Sequence, residues 1–282
     1  VSSFILPHVC FSLKDSLESG QVFNYVECGT NTWKVYKING MFTVEAENDD
    51  IVIEYPSLGE IQPDDFENFF DVDSNYKDII LSLVKRDKVF YRIVAYLMAV
   101  DSFKHIHILK QSPWEACINS ILLQHTDLRT AHMFVLKLVM FLGNNTHFPT
   151  YEELKDVNEK FYKILGFGFR SEYMRDLCRK WPNLVGSLIK AKRTDTLVRL
   201  LMSITGIGPK TAEYIALYGY NKLDAFPVDA YVQETYLRLY GINGIANIME
   251  DAKHRFGDYA GIAQQYIKAY GVLNTQFQPV KI

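Results

Sequence analysis

Two short helical patterns, "TLVRLLMSI" ending at Ile204 and "PKTAEYIALYG" opening at Pro209, are separated by only Thr205-Gly206-Ile207-Gly208. Four residues allow nothing but a tight turn. The two glycines permit φ > 0 there and let another backbone come close. Pro209 fits the first position of the second helix, where no amide donor is needed. Turn amides and helix N-terminus together make a ready anion site. A Gly-rich interhelical turn with no ligand has the same pattern. Lys210 is the stranger choice, because a cation is least welcome at the positive end of a helix.

A length of 282 residues predicts roughly two domains, and 48% hydrophobic residues suffice for a real core. No apolar run is long enough to span a membrane, and no secretory signal is visible. Cys10, Cys28, Cys117 and Cys178 are scattered without a CxxC pair, so neither zinc nor an iron–sulfur cluster is suggested. They read as reduced, structural cysteines of an intracellular protein. The net charge of −3 announces no nucleic-acid partner, but its distribution is uneven. Glu45 to Asp73 holds eleven acids and no Lys or Arg, whereas Lys163 to Lys210 holds ten bases and three acids. Two solvated faces of opposite sign, or a phosphate-tracking surface ending at the glycines, both fit that pattern.

The first ~55 residues read as β by their alternation. "TWKVYKINGMFTVEAE" predicts a hairpin around Asn39-Gly40, and "DIVIEY" a further strand. From Pro63 the period becomes helical, with a break near Asp73-Ser74. Pro113 opens a helix through "WEACINSILLQ". A capping box from Thr150 to Glu153 starts a helix that stops at Gly166. Ser171 and Asp229 are candidate caps; helices end at Gly241 and Gly271. The expectation is α+β: an N-terminal antiparallel β domain with helices over residues 1–105, then an all-α domain over 106–282.

Some twenty residues after the hairpin stands "DAFPVDAYVQ". The pairing of "GIGPKTA" with "PVDAYV" resembles the helix-hairpin-helix-GPD superfamily of DNA base-excision glycosylases. The resemblance implies that Lys210 attacks C1′ of a damaged nucleotide and that Asp229 stabilises positive charge developing on the sugar. A partly desolvated lysine at a helix N-terminus has its ammonium form penalised, which favours the nucleophilic amine, while a nearby carboxylate acts the other way. Departure of the base leaves a Schiff base, and β-elimination nicks the strand.

Further segments resemble the 8-oxoguanine DNA glycosylase/AP lyase family. "SLESGQVFNY" is similar to its SGQ segment and implies that the Gly20 carbonyl accepts from N7–H, a proton present on 8-oxoguanine and absent from guanine. "FDVDSNY" resembles the segment before the catalytic domain. "ILGFGFRSEYM" implies an aromatic wedge at Phe169 and an arginine contacting the orphaned base at Arg170. "LLQHTDLRTA" lies where a plug fills the space left by the flipped nucleotide; Gln124 or His125 serves there, with Arg129 beside Arg170. "DYAGIAQQYIKAY" implies that Gln264 bonds the base's Watson–Crick edge. Where the family stacks the base between a cysteine and a phenylalanine, this chain has Tyr214 and Lys268, and an aromatic shifted to the Tyr214 side keeps ~1–3 kcal/mol of stacking.

The implied partner is double-stranded DNA containing a damaged base, bound by an intracellular monomer without a membrane anchor. No cofactor or catalytic metal is implied, only a monovalent cation on the backbone of Thr205 and Ile207. The alternatives are an alkylated-base (3-methyladenine-type) glycosylase, which normally lacks the lysine, and a non-catalytic damage sensor.

Overall fold

The computed structural model describes residues 1–7, 11–47, 50–56, 61–100 and 106–274; Cys10 and residue 105, where the expected domain boundary falls, lie outside them. Strands β1 (Ser2–Leu6), β2 (Tyr25–Gly29), β3 (Thr32–Lys37), β4 (Gly40–Glu47) and β5 (Asp50–Tyr55) form one antiparallel sheet in the order β1-β5-β4-β3-β2. Alternation puts Trp33, Val35, Phe42, Val44, Ile51 and Ile53 on one buried face. Helices α1 (Leu13–Glu18) and α2 (Pro63–Phe70) cover it with Leu13, Leu17, Phe66, Phe69 and Phe70.

The second core is helical and larger. Helices α3 (Tyr76–Arg86) and α4 (Lys88–Ala99) join it, although they precede residue 106. It continues through α5 (Pro113–Leu122), α6 (Leu128–Leu142), α7 (Tyr151–Leu154), α8 (Glu159–Ile164), α9 (Arg170–Lys190) and α10 (Thr194–Leu201). The series closes with α11 (Pro209–Tyr220), α12 (Ala230–Tyr240), α13 (Ile245–Phe256), a 3₁₀ turn (Gly257–Tyr259) and α14 (Ala260–Asn274). Helix α11 packs between α5 and α14. Gly261 permits the second contact, since a Cβ there would lie 2.4 Å from Leu217 and 2.9 Å from the Ala225 carbonyl.

Several local expectations need correction. The β3–β4 turn is Ile38-Asn39, one residue earlier than Asn39-Gly40, because Lys37 pairs with Gly40. The β region contains α1, which Ser12 caps at the Asp15 amide. The Thr150 capping box is present, but α7 stops after four residues and Asn158 caps a separate α8. Ser171 caps nothing: Gly168 in the left-handed region turns the chain early enough for α9 to begin at Arg170. Helix α14 runs past Gly271 to Asn274.

Two buried polar clusters join the sheet to the helices. Gln21 Nε2 donates to the His107 carbonyl (2.8 Å), its Oε1 accepts from the Leu109 amide (2.9 Å), and its own carbonyl accepts from Gln111 Nε2 (2.7 Å). Gln111 in turn takes Asn119 Nδ2 of α5 (2.7 Å), and its amide donates to the Tyr218 carbonyl of α11 (2.8 Å). The turn that carries Gly20 is thereby fixed relative to the helical core. The Glu115 carboxylate, wholly buried, accepts from Lys37 Nζ (2.5 Å), the Ile38 amide (2.8 Å) and the Ser112 amide (3.1 Å). Removing it strands a largely buried ammonium and takes away the carboxylate half of the α5 capping box, leaving only the Ser112 bond. Glu115→Ala should therefore lower unfolding free energy by about 3 kcal/mol, measured by urea titration; a loss under about 1 kcal/mol would contradict the assignment.

Candidate active site

Three helices bring chemistry to one place. Helix α11 begins at Gly208, its N-cap, so that Lys210 stands in its first turn and Tyr214 one turn later on the same stripe. Asp229 is the N-cap of α12, with Oδ1 accepting from the Val232 amide at 2.9 Å. This bond aims the other oxygen, Oδ2, at α11 and α14. Oδ2 accepts from the Tyr214 hydroxyl at 3.4 Å and faces Lys268 Nζ at 3.8 Å. Burial, followed by the Asp229 charge and this hydrogen bond, keeps the Tyr214 hydroxyl well above the usual phenol range. It is a donor at any working pH.

Lys210 is exposed and makes no ion pair or hydrogen bond among the described residues. The partial desolvation expected for its amine is therefore absent from the DNA-free chain, because α11 rises out of the core at its first turn. The lysine that faces Asp229 is Lys268.

Gly20 is buried with φ +82°, and a Cβ there would lie 2.9 Å from Leu128 and 3.4 Å from Lys268 Nζ. Leu128, on the first turn of α6, is a neighbour that sequence reading missed; only its place within the "LLQHTDLRTA" segment hinted at it. Gln264 sits one turn before Lys268 on α14 and is fully buried. Its Nε2 donates to the Pro227 carbonyl (3.0 Å) and its Oε1 accepts from Gln265 Nε2 (2.5 Å). Gly20, Tyr214, Asp229 and Lys268 thus meet directly, and the Gln264 amide is already occupied inside the protein.

The segments around Gln124, Phe169 and Gly206 form a second connected group. Gln124 Nε2 donates to the Gly206 carbonyl at 2.9 Å. Arg170 is buried, stacks over the Phe169 ring at 4.6 Å and donates Nε to the Gln124 carbonyl at 2.8 Å. Phe169 remains 46% exposed, edge-on to His125 and Tyr173. His125 is exposed with φ +48°, and Arg129 is exposed nearby. The Arg170 guanidinium is committed to the plug backbone in the free chain.

Asp176 of α9 tethers the hairpin. It accepts from the Thr205 amide (2.7 Å) and pairs with Lys180 (2.7 Å) and Arg179. Burial opposes its ionisation, but bonds from Arg179, Lys180 and Thr205 outweigh it and hold the carboxyl well below the usual range. The two glycines differ. Gly206 has φ +83°, and a Cβ would lie 2.3 Å from the Tyr173 ring; at Gly208 a Cβ would meet open space.

Comparison with known proteins finds relatives in both sequence and fold. Residues 3–117 match the family described as 8-oxoguanine DNA glycosylase, N-terminal domain. The chain is thus similar to 8-oxoguanine DNA glycosylases, in its N-terminal part by family model and over nearly its whole length by fold. The N-glycosylase/DNA lyase of Saccharomyces cerevisiae is 23% identical over 279 residues, covering 86% of this chain and 72% of that protein. The solved structure of MBOgg1 with a low-affinity DNA ligand superposes with a TM-score of 0.86 at 27% identity, covering 96% of both chains. The 8-oxoguanine glycosylase/lyase of Clostridium acetobutylicum, solved with DNA containing cytosine opposite 8-oxoguanine, shares the fold. Its TM-score is 0.81 at 23% identity, covering 94% of this chain and 92% of that one.

Gly206→Ala should cost at least about 2 kcal/mol, from left-handed backbone and the Tyr173 clash. Gly208→Ala should cost no more than about 1 kcal/mol, because alanine is the poorer N-cap, yet weaken duplex binding at least about tenfold. Thermal melting and fluorescence anisotropy read the two; normal DNA affinity of Gly208→Ala would contradict a phosphate contact there. Asp176 contributes stability fully above its unfolded pKa of about 3.9, and the contribution fades as pH falls toward the depressed folded value. The melting-temperature gap between the wild type and Asp176→Asn should be constant from pH 7 to 5 and close below pH 4.

Proposed function

We propose that the chain is a bifunctional DNA glycosylase and AP lyase, acting as a monomer, that removes 8-oxoguanine from duplex DNA. The observation that carries this reading is the exposed Lys210, one turn from a tyrosine whose hydroxyl is bonded to the Asp229 carboxylate. A nucleophile for a DNA sugar has to be reachable, and the only desolvation available to it is the DNA itself.

Bound duplex lays a phosphate on the turn at Gly206 and Gly208 and the N-terminus of α11. The carbonyls of Thr205 and Ile207 accept no hydrogen bond among the described residues, unlike those of Gly206 and Gly208. That pair would hold a monovalent cation, which would supply positive charge beside the phosphate. Phe169 enters the stack, Gln124 and His125 fill the gap, and Arg170 exchanges its Gln124 carbonyl for the acceptors of the orphaned base, with Arg129 alongside. Unstacking costs a few kcal/mol, offset by these contacts. The flipped base lies against Tyr214, with N7–H on the Gly20 carbonyl and its Watson–Crick edge on Gln264.

The Lys210 nitrogen then bonds to C1′ as the glycosidic bond breaks, and the base leaves with the electron pair and a proton. Asp229, 3.4 Å from the Tyr214 hydroxyl and fixed by its cap bond, stabilises positive charge on the sugar. Ring opening gives an imine between Lys210 and C1′. Loss of a C2′ proton expels the 3′ phosphate and nicks the strand.

Borohydride reduction traps such an imine as a covalent protein–DNA adduct. Duplexes carrying 8-oxoguanine or an abasic site should trap, and alkylated adenine should not. Lys210→Gln should abolish trapping and slow single-turnover excision at least about a thousandfold. Excision without trapping, or preference for the alkylated base, would overturn the proposal.

A further inference from the structure

Lys268 places a charge inside the lesion site. It is 7% exposed on α14, and its Nζ donates to the Ser19 carbonyl (3.0 Å) and the Tyr214 hydroxyl (3.3 Å). The third N–H faces Asp229 Oδ2 at 3.8 Å, and the ammonium lies 5.8 Å from the Tyr214 ring centre. It also borders Gly20, 3.4 Å from where a Cβ would stand. Tyr214, Asp229 and Gly20 are residues that the proposed mechanism puts against the extruded base or its sugar.

We infer that Lys268 is a specificity-determining residue whose ammonium excludes cationic, alkylated purines from the lesion pocket. The inference rests on the proposed placement of the flipped base between Gly20 and Tyr214. Asp229 on its own would attract any positively charged base that entered. Lys268 cancels that attraction and adds repulsion at close range, in surroundings where charges are poorly screened. A neutral oxidised purine meets no such penalty, and its carbonyl oxygens accept from an ammonium. The discrimination works by disfavouring the wrong ligand as well as by fitting the right one.

The test compares single-turnover excision of 8-oxoguanine and 7-methylguanine, a neutral and a cationic purine, from otherwise identical duplexes, corrected for spontaneous loss. Lys268→Met removes the charge at similar length; Lys268→Arg keeps it. The ratio of the 8-oxoguanine rate to the 7-methylguanine rate should fall at least about tenfold in Lys268→Met and stay within about threefold in Lys268→Arg. A purely structural lysine would slow both substrates together and leave the ratio unmoved, and that result overturns the inference while the proposed function stands. A ratio lowered equally in both variants also overturns it, because shape rather than charge would then be at work. Wild-type protein that excises 7-methylguanine and not 8-oxoguanine overturns the proposed function and this inference with it.

Discussion

The site depends on a single carboxylate with its two oxygens pointed different ways. Asp229 Oδ1 is spent on the Val232 amide, which starts α12, and that bond leaves Oδ2 directed at Tyr214 and Lys268. One residue thus ends a loop, begins a helix and ties α11 and α14 to the same point. A capping bond is worth ~1 kcal/mol, small beside the burial of α5 and α11, but it sets direction where burial does not. The remaining groups are placed relative to it: Lys210 by helical period from Tyr214, Gln264 by helical period from Lys268, and Gly20 through Ser19.

Much of the polar equipment facing this site is occupied within the free protein. Gln124 holds the hairpin, Arg170 holds Gln124, Gln264 holds Pro227, and Lys268 holds Ser19. Exchange of such internal bonds for bonds to DNA returns little net free energy, since each gain replaces a loss. In the proposed complex affinity then rests on the phosphate contacts, and these internal bonds act as a threshold that only a ligand offering a full replacement set can cross. Lys210 stands outside this arrangement, exposed and unpaired among the described residues.

What the sequence made legible was local. Pro209 at a helix start, the Asp229 cap, the glycines of the turn and the alternation of β3 and β4 all follow from contacts spanning a few residues. What it hid was distant. Lys268 and Ser19 lie 249 positions apart, and Gln21 reaches across 86 positions to the His107 carbonyl. No period or cap signals such pairs. Leu128 was hidden for the same reason, since its contact with Gly20 joins α6 to a turn before the sheet's second strand. Local misreadings had local causes: Ser171 had the right chemistry for a cap, but Gly168 turned the chain three residues earlier.

Two lysines stand near Tyr214, one exposed a turn before it on α11 and one buried on α14 against the Asp229 carboxylate, and the covalent step is assigned to the exposed one. Peptide mapping by tandem mass spectrometry of the reduced adduct between wild-type protein and 8-oxoguanine duplex locates the bond directly. The modified peptide should carry the sugar remnant on Lys210. A remnant on Lys268 would contradict the account, because the amine held by Ser19 and Tyr214 would then be the one that reaches C1′.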